Sequence, residues 1–236
     1  MSEWKAKRFW TSADVAEQDG GFSILLDTRP VKTPAKQALT VPTAAMAQAI
    51  ADEWNAQEEA IDPRTMPFTR TANAAVDKVA VQHAEVAQML AGYGDSDLLC
   101  YRADSPESLV ARQSAEWDPW LDWAEDTLGA RLAPRTGVMH APQDPAALER
   151  LGARVYRLTS FELAAFHDLV SLSGSLILGF GAALGQRPAE EIWEISRLDE
   201  NWQAEEWGRD EEAEAVAAIK RADFLHAKQV FDLVQP

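Results

Sequence analysis

The sequence predicts an α+β protein: a small β-rich N-terminal domain followed by a larger, mainly α-helical C-terminal domain. Two observations carry this. Up to about Pro42 the chain holds short extended runs, "GFSILLD", "RPVKTP" and "QALTVP", broken by glycine and proline as hairpins are. From Thr43 onward the apolar residues recur every three or four positions, the period of helices with one buried face. The expected domains are residues 1–70 and 71–236, with the boundary anywhere between 45 and 95. A chain of 236 residues with 47% hydrophobic and 25% charged residues can bury a proper core.

Each element follows from local chemistry. Thr43 can cap a helix carrying Met46, Ile50 and Trp54 at spacing four. After the break "IDPRTMPF", a second helix shows Ala72, Val76, Val79, His83, Val86 and Leu90 on one stripe. Ser105 and Pro106 open a third, which carries Trp117, Trp120 and Trp123 and ends near Gly129. "ARLAPRTGVMHAPQDP" reads as a loop or short-strand connection. Four helical runs follow, about Pro145–Leu158, Ser160–Leu184, Pro188–Trp207 and Asp210–Val234. Within the second of these, Ser171, Ser175, Gly179 and Ala183 recur every four positions, which lets another helix approach closely. The uncharged run Leu169–Gln186 is too polar and glycine-rich for a membrane span and reads as buried helix.

Composition excludes several functions. The net charge of −16 repels nucleic acid and anionic lipid, and favours a partner with basic surface. The acidity lies beyond the N-terminal region, where Lys5, Lys7, Arg8, Arg29, Lys32 and Lys36 nearly balance Glu3, Asp14, Glu17, Asp19 and Asp27. The lone Cys100, in the apolar context "DLLCYR", cannot form an internal disulfide and reads as a small buried hydrophobe. The start "MSEWKAKRFW" has no apolar leader run, so a cytoplasmic location and no membrane insertion are expected. There is no P-loop, no metal-ligand spacing among His83, His140, His167 and His226, and no nucleophile motif. No cofactor, no metal and no catalytic residue are therefore assigned.

The densest chemistry is "SRLDENWQAEEWGRDEEAE", Ser196–Glu214, with eight carboxylates against Arg197 and Arg209 and with Trp202 and Trp207 among them. On a helix, Ile192, Ile195, Leu198 and Trp202 share a face, and Asp199 and Glu206 project close to it. A carboxylate directed into an apolar stripe requires a partner. Asp199 could pair with a buried arginine, such as Arg70 or Arg112, and lock two helices together. Alternatively the band could contact a partner protein, or Asp199 and Glu206 could act as acid and base in a small acidic enzyme. A metal site is the remaining alternative. Trp193, Glu200, Gln203 and Trp207 occupy the other side, and an aromatic–acidic band of this kind suits a protein interface.

The blocks "RFW", "LLDTRPVKTP", "ADEWNAQEEAIDPRTMPFTRTANAAVD", "SDLLCYRA", "ARQSAEWDPWLDW" and "SRLDENWQAEEWG" together resemble the assembly chaperones of the F-type ATP synthase catalytic head, which bind its α subunit. The resemblance spans nearly the whole chain. It implies a non-enzymatic protein that shields the unassembled α subunit until it pairs with β, without an ATP cycle. It also implies the same α+β fold, and, in the absence of an import presequence, a bacterial member. The family's important acidic position falls on Asp199, where some relatives have Glu, and Glu200, Gln203 and Trp207 match the same block. With Glu206 beside them, these are the expected partner-binding or functionally important residues. Trp54, in the "EW..Q" block with Gln57, is expected to be structural. An adaptor for another client carries the same structural expectations as the chaperone.

Overall fold

The structure, a computed structural model, describes residues 7–236; Glu3 and Lys5 of the charge balance above lie outside the described residues. The chain forms two compact units. One comprises residues 1–83, 159–165 and 229–236, and the other residues 84–158 and 166–228. Neither unit is a single sequence segment, because helices α6 (Ser160–Ser173) and α10 (Glu211–Leu233) each contribute residues to both.

The first unit is built on an antiparallel hairpin of β1 (Ala13–Gln18) and β2 (Gly21–Leu26), with Ala13 opposite Leu26 and Gln18 opposite Gly21. β3 (Arg29–Pro30) and β4 (Thr40–Val41) pair with β2. The three extended runs expected from sequence lie in this sheet. β1, in contrast, carries only Ala13 fully buried, and its mixed pattern hides it from a periodicity reading. Gly21 is required where it stands: a Cβ there would collide with the Val41 carbonyl, which approaches from β4. Helix α1 (Ala44–Asn55) packs on the sheet through Met46, Ala47 and Ile50, all fully buried. Thr43 caps it as expected, accepting from the Met46 amide at 3.1 Å. Helix α2 (Pro67–Ala74) then runs into a π-helical turn at Ala75–Val79.

The helix expected across Ala72–Leu90 is interrupted at residues 80–82. α3 (His83–Gly92) begins a new element, and the division between the units falls beside His83. No glycine or proline marks the break, and the apolar stripe continues across it.

In the second unit, α4 (Glu107–Trp123) contributes Trp117, Trp120 and Leu121 to the core. Ser105 does not cap it: its hydroxyl donates to Asp104 instead, at 3.1 Å. α4 continues into a π-helical turn at Ala124–Leu128 and ends at Gly129, whose φ of 71° is the left-handed C-terminal stop. β6 (Arg135–Thr136), inside the segment read as a connection, forms a short parallel pair with β5 (Tyr101–Arg102), which precedes α4. α5 (Pro145–Val155) is capped by Asp144.

The Ser160–Leu184 run is two helices, α6 and α7 (Leu176–Ala183). Gly174, at φ 72°, stops the first, and Ser175 caps the second by accepting from the Leu178 amide at 3.0 Å. Of the Leu169–Gln186 stretch expected to be buried, Leu176–Ala182 are buried and Leu184–Gln186 are exposed. Close approach does depend on its small residues: a Cβ at Gly179 would lie 2.6 Å from Val170 Cγ2, and one at Gly181 would lie 2.3 Å from Trp120 Cζ3. Asp97, fully buried, accepts the amides of Leu99 at 3.0 Å and Ile177 at 3.1 Å and so ties a short turn to the start of α7. Burial pushes its carboxyl up to about 6. Cys100 is buried too, and burial pushes its thiol up to about 12. Among the described residues no helix is long and apolar enough to cross a membrane.

Candidate functional site

The expected helix Pro188–Trp207 is also broken, into α8 (Ala189–Ser196) and α9 (Leu198–Trp207). Ile192, Ile195 and Leu198 are buried on either side of the joint and anchor it. A helix end leaves carbonyls without partners. Here the Ile195 carbonyl accepts the indole N–H of buried Trp117 at 3.0 Å, and the Ser196 hydroxyl donates to the Trp193 carbonyl at 2.6 Å. Arg197, at the joint, pairs with Glu200 at 2.8 Å and lies over the Trp193 ring.

Asp199 and Glu200 occupy the first turn of α9, where the positive end of the helix dipole favours carboxylates. Asp199 is half-buried, and neither arginine considered for it is its recorded partner. The Gln113 side chain donates to Asp199 Oδ1 at 2.7 Å, while its own oxygen accepts the Ala103 amide at 2.8 Å. Gln113 is fully buried, so its amide is held from both ends and fixes where the carboxylate stands. Arg112, one residue earlier on α4, grips Glu205 with two hydrogen bonds of 2.6 and 3.1 Å, and this holds the Glu205 carboxyl below its ordinary value. A neutral amide and a surface ion pair thus do what a buried Asp–Arg pair was expected to do: they join α9 to α4.

The remaining expected residues divide. Glu200, Gln203 and Trp207 line a groove of about 1050 Å³, together with Trp193 and residues at the start of α10. Asp199 and Glu206 are not among its walls. Glu206 is exposed. Trp207 is 76% exposed and meets Trp202 edge-on, with ring centroids 5.9 Å apart. Gly208, at φ 93°, ends the helix directly after it.

Sequence reasoning missed Gln113, because a contact across 86 positions leaves no local signal. It also passed over Val216 and Ile219, exposed on α10, although "EAVAAIK" in a charged stretch is visible by inspection.

Trp54 lies in the first unit, half-buried and edge-on to Trp10 at 5.1 Å. Its neighbours form a lock. Glu53 accepts the amides of Phe68 at 2.6 Å and Thr69 at 2.8 Å, capping α2, and burial raises its carboxyl above the ordinary value. Gln57 donates to Thr65 at 3.0 Å and accepts the Asp62 amide at 2.7 Å.

The family model described as ATP12 chaperone protein matches residues 7–125, which includes the Trp54 lock and α4 with Gln113. The mitochondrial protein atp12 of Schizosaccharomyces pombe is 28% identical over 225 residues, covering 89% of this chain and 76% of its own. The crystal structure of Atp12 from Paracoccus denitrificans is 51% identical, covers 99% of this chain and 100% of its own, and superposes with a TM-score of 0.96. A structure of an aspartate-to-lysine variant of the P. denitrificans protein matches equally well. The Atu1473 protein of Agrobacterium tumefaciens is 43% identical over 97% of this chain and 86% of its own, with a TM-score of 0.91. The chain belongs to the ATP12 chaperone family, the assembly-chaperone family that its sequence blocks resemble.

Proposed function

We propose that this protein is a cytoplasmic bacterial assembly chaperone that binds the unassembled α subunit of the F-type ATP synthase catalytic head, and shields its interface until β takes its place, without hydrolysing ATP. The observation that carries the reading is α9. It is a helix clamped to α4 by Gln113–Asp199 and Arg112–Glu205, yet it leaves Trp207 and several carboxylates open to solvent. A large aromatic group on a rigid, acidic support supplies contact area and electrostatic steering toward a basic, apolar surface. Glu200, Gln203 and Trp207 make the contact. Asp199 fixes the helix and contributes charge, and Glu206 adds to the acidic rim.

The competing reading, an enzyme working through Asp199 and Glu206, loses support from the geometry. Asp199 is spent on Gln113, and neither carboxylate lines the groove. An adaptor for a different client is separated from the chaperone only by the identity of the partner.

The test is light scattering of purified α subunit on dilution from denaturant, with the wild-type chain and with Asp199→Asn and Trp207→Ala. Wild type is expected to keep α soluble at near-stoichiometric ratio without ATP, and both variants to protect less while remaining folded. If wild type leaves α aggregating as it does alone, the reading is wrong.

A further inference from the structure

We propose that the N-terminal half of α10 is a second docking surface, one that takes an apolar segment of the client carrying lysine or arginine at one end. The inference rests on the client-binding reading above and deepens it by naming what is bound there and where.

α10 is two helices in one. From Phe224 onward it supplies Phe224, Ala227, Val230 and Phe231 to buried positions. From Glu211 to Ala222 every side chain is exposed except Ala217 and Arg221, which are half-buried. A helix of about three turns normally owes its stability to an apolar face packed on something. Here alanine-rich composition with high helix propensity lets the half stand without cover.

The uncovered half is not polar all round. Val216 is 52% exposed and Ile219 65%, three residues apart on one face and flanked by Ala215 and Ala222. The other face, with Ala213 and Ala217, lines the groove whose far wall holds Trp207. The groove itself is walled by apolar Trp193, Trp207 and Ala217 together with charged Arg112, Glu205 and Glu214. Three large apolar side chains, Val216 and Ile219 on α10 and Trp207 on the helix before it, are left open to solvent, as at an interaction site.

Charge selects the occupant. The N-terminal end of the half carries Glu211 and Glu212, with Glu206 just before it, and the only base between Glu205 and Glu214 is Arg209, already paired with Glu214 at 3.1 Å. Lys220 and Arg221 lie at the other end. The complementary segment has its basic residues against Glu206–Glu212 and apolar residues against Val216 and Ile219. A second copy of this chain is disfavoured, since each copy brings a net charge of −16.

The test measures binding of purified ATP synthase α subunit to three full-length chains: wild type, Val216→Ala with Ile219→Ala, and Glu211→Lys with Glu212→Lys. Alanine removes the apolar area and raises helix propensity, so the first variant keeps its fold, as circular dichroism will verify. It is expected to bind α on the order of tenfold more weakly. The charge variant is expected to bind more weakly at low salt and to lose most of the wild-type salt dependence. If wild type binds α and the alanine variant binds equally well, the α10 surface is overturned while the chaperone reading stands. If wild type does not bind α, both fall together. A concentration-dependent dimer in sedimentation that the alanine variant abolishes would identify a second copy as the occupant and overturn the client assignment.

Discussion

Replacing Asp199 with alanine removes the acceptor that Gln113 is built to reach. The Gln113 amide is fully buried and its oxygen is engaged by Ala103, so the side chain cannot turn to find another acceptor without giving up that bond. A buried N–H left without a partner costs about 1–3 kcal/mol. Asp199 is only half-buried, so water can enter where its carboxylate stood, and the cost falls toward the lower end, about 1–2 kcal/mol. Asp199→Asn keeps an oxygen in the same place and should cost less than about 0.5 kcal/mol. Urea unfolding followed by circular dichroism measures both, and a double-mutant cycle with Gln113→Leu isolates the shared term, expected at about 1 kcal/mol. A coupling of zero, or an alanine variant as stable as wild type, would refute the proposed support of α9 by α4. Because asparagine preserves the support, any loss of client protection by Asp199→Asn reports the charge alone.

Further predictions concern the scaffold. Gly181→Ala places a methyl group 2.3 Å from Trp120 Cζ3 and should destabilise by about 1–3 kcal/mol, read from the urea midpoint and the tryptophan emission. Trp54→Ala removes the edge-on contact with Trp10 and, since Trp54 is half-buried, should cost about 2 kcal/mol, below the range of a fully buried tryptophan; a neutral result would remove its structural role. Asp97 carries a pH dependence of defined sign. Its folded pKa of about 6 lies above the ordinary 3.8, so the native state holds this proton more tightly than the unfolded chain. The resulting stabilisation is fully present below the unfolded value and is lost as pH rises through about 6, on the order of 2–3 kcal/mol. The stability difference between wild type and Asp97→Asn, measured by urea titration from pH 4 to 7, should change by that amount and in that direction; a difference independent of pH would contradict it.

Much of the fold was legible because it is set by chemistry within a few residues. Thr43, Asp144, Ser175 and Asp210 accept amides two or three positions ahead, and Gly129 supplies a left-handed stop. Of these, Ser175 was placed inside a helix by the sequence reading, because its run of apolar neighbours continues unbroken into α7. The break at residues 80–82 was equally hidden, since the stripe from Ala72 to Leu90 keeps its period across it. β1 was missed for a related reason: a strand identified mainly by its pairing with β2 need not alternate cleanly.

The candidate site separates in the same way. Composition and spacing alone determined that residues 196–214 are acidic and tryptophan-bearing, and that Ile192, Ile195 and Leu198 would be buried. These are properties of the chain itself, present before any contact forms. Only tertiary structure decided that Asp199 answers to Gln113 rather than to an arginine, that Glu205 takes Arg112, and that neither Asp199 nor Glu206 lines the groove. It also decided that half of α10 goes uncovered while the other half is core. The physical reason is that hydrogen-bond partners and burial depend on which surfaces meet across dozens of residues, and a one-dimensional pattern carries the need for a partner without its address.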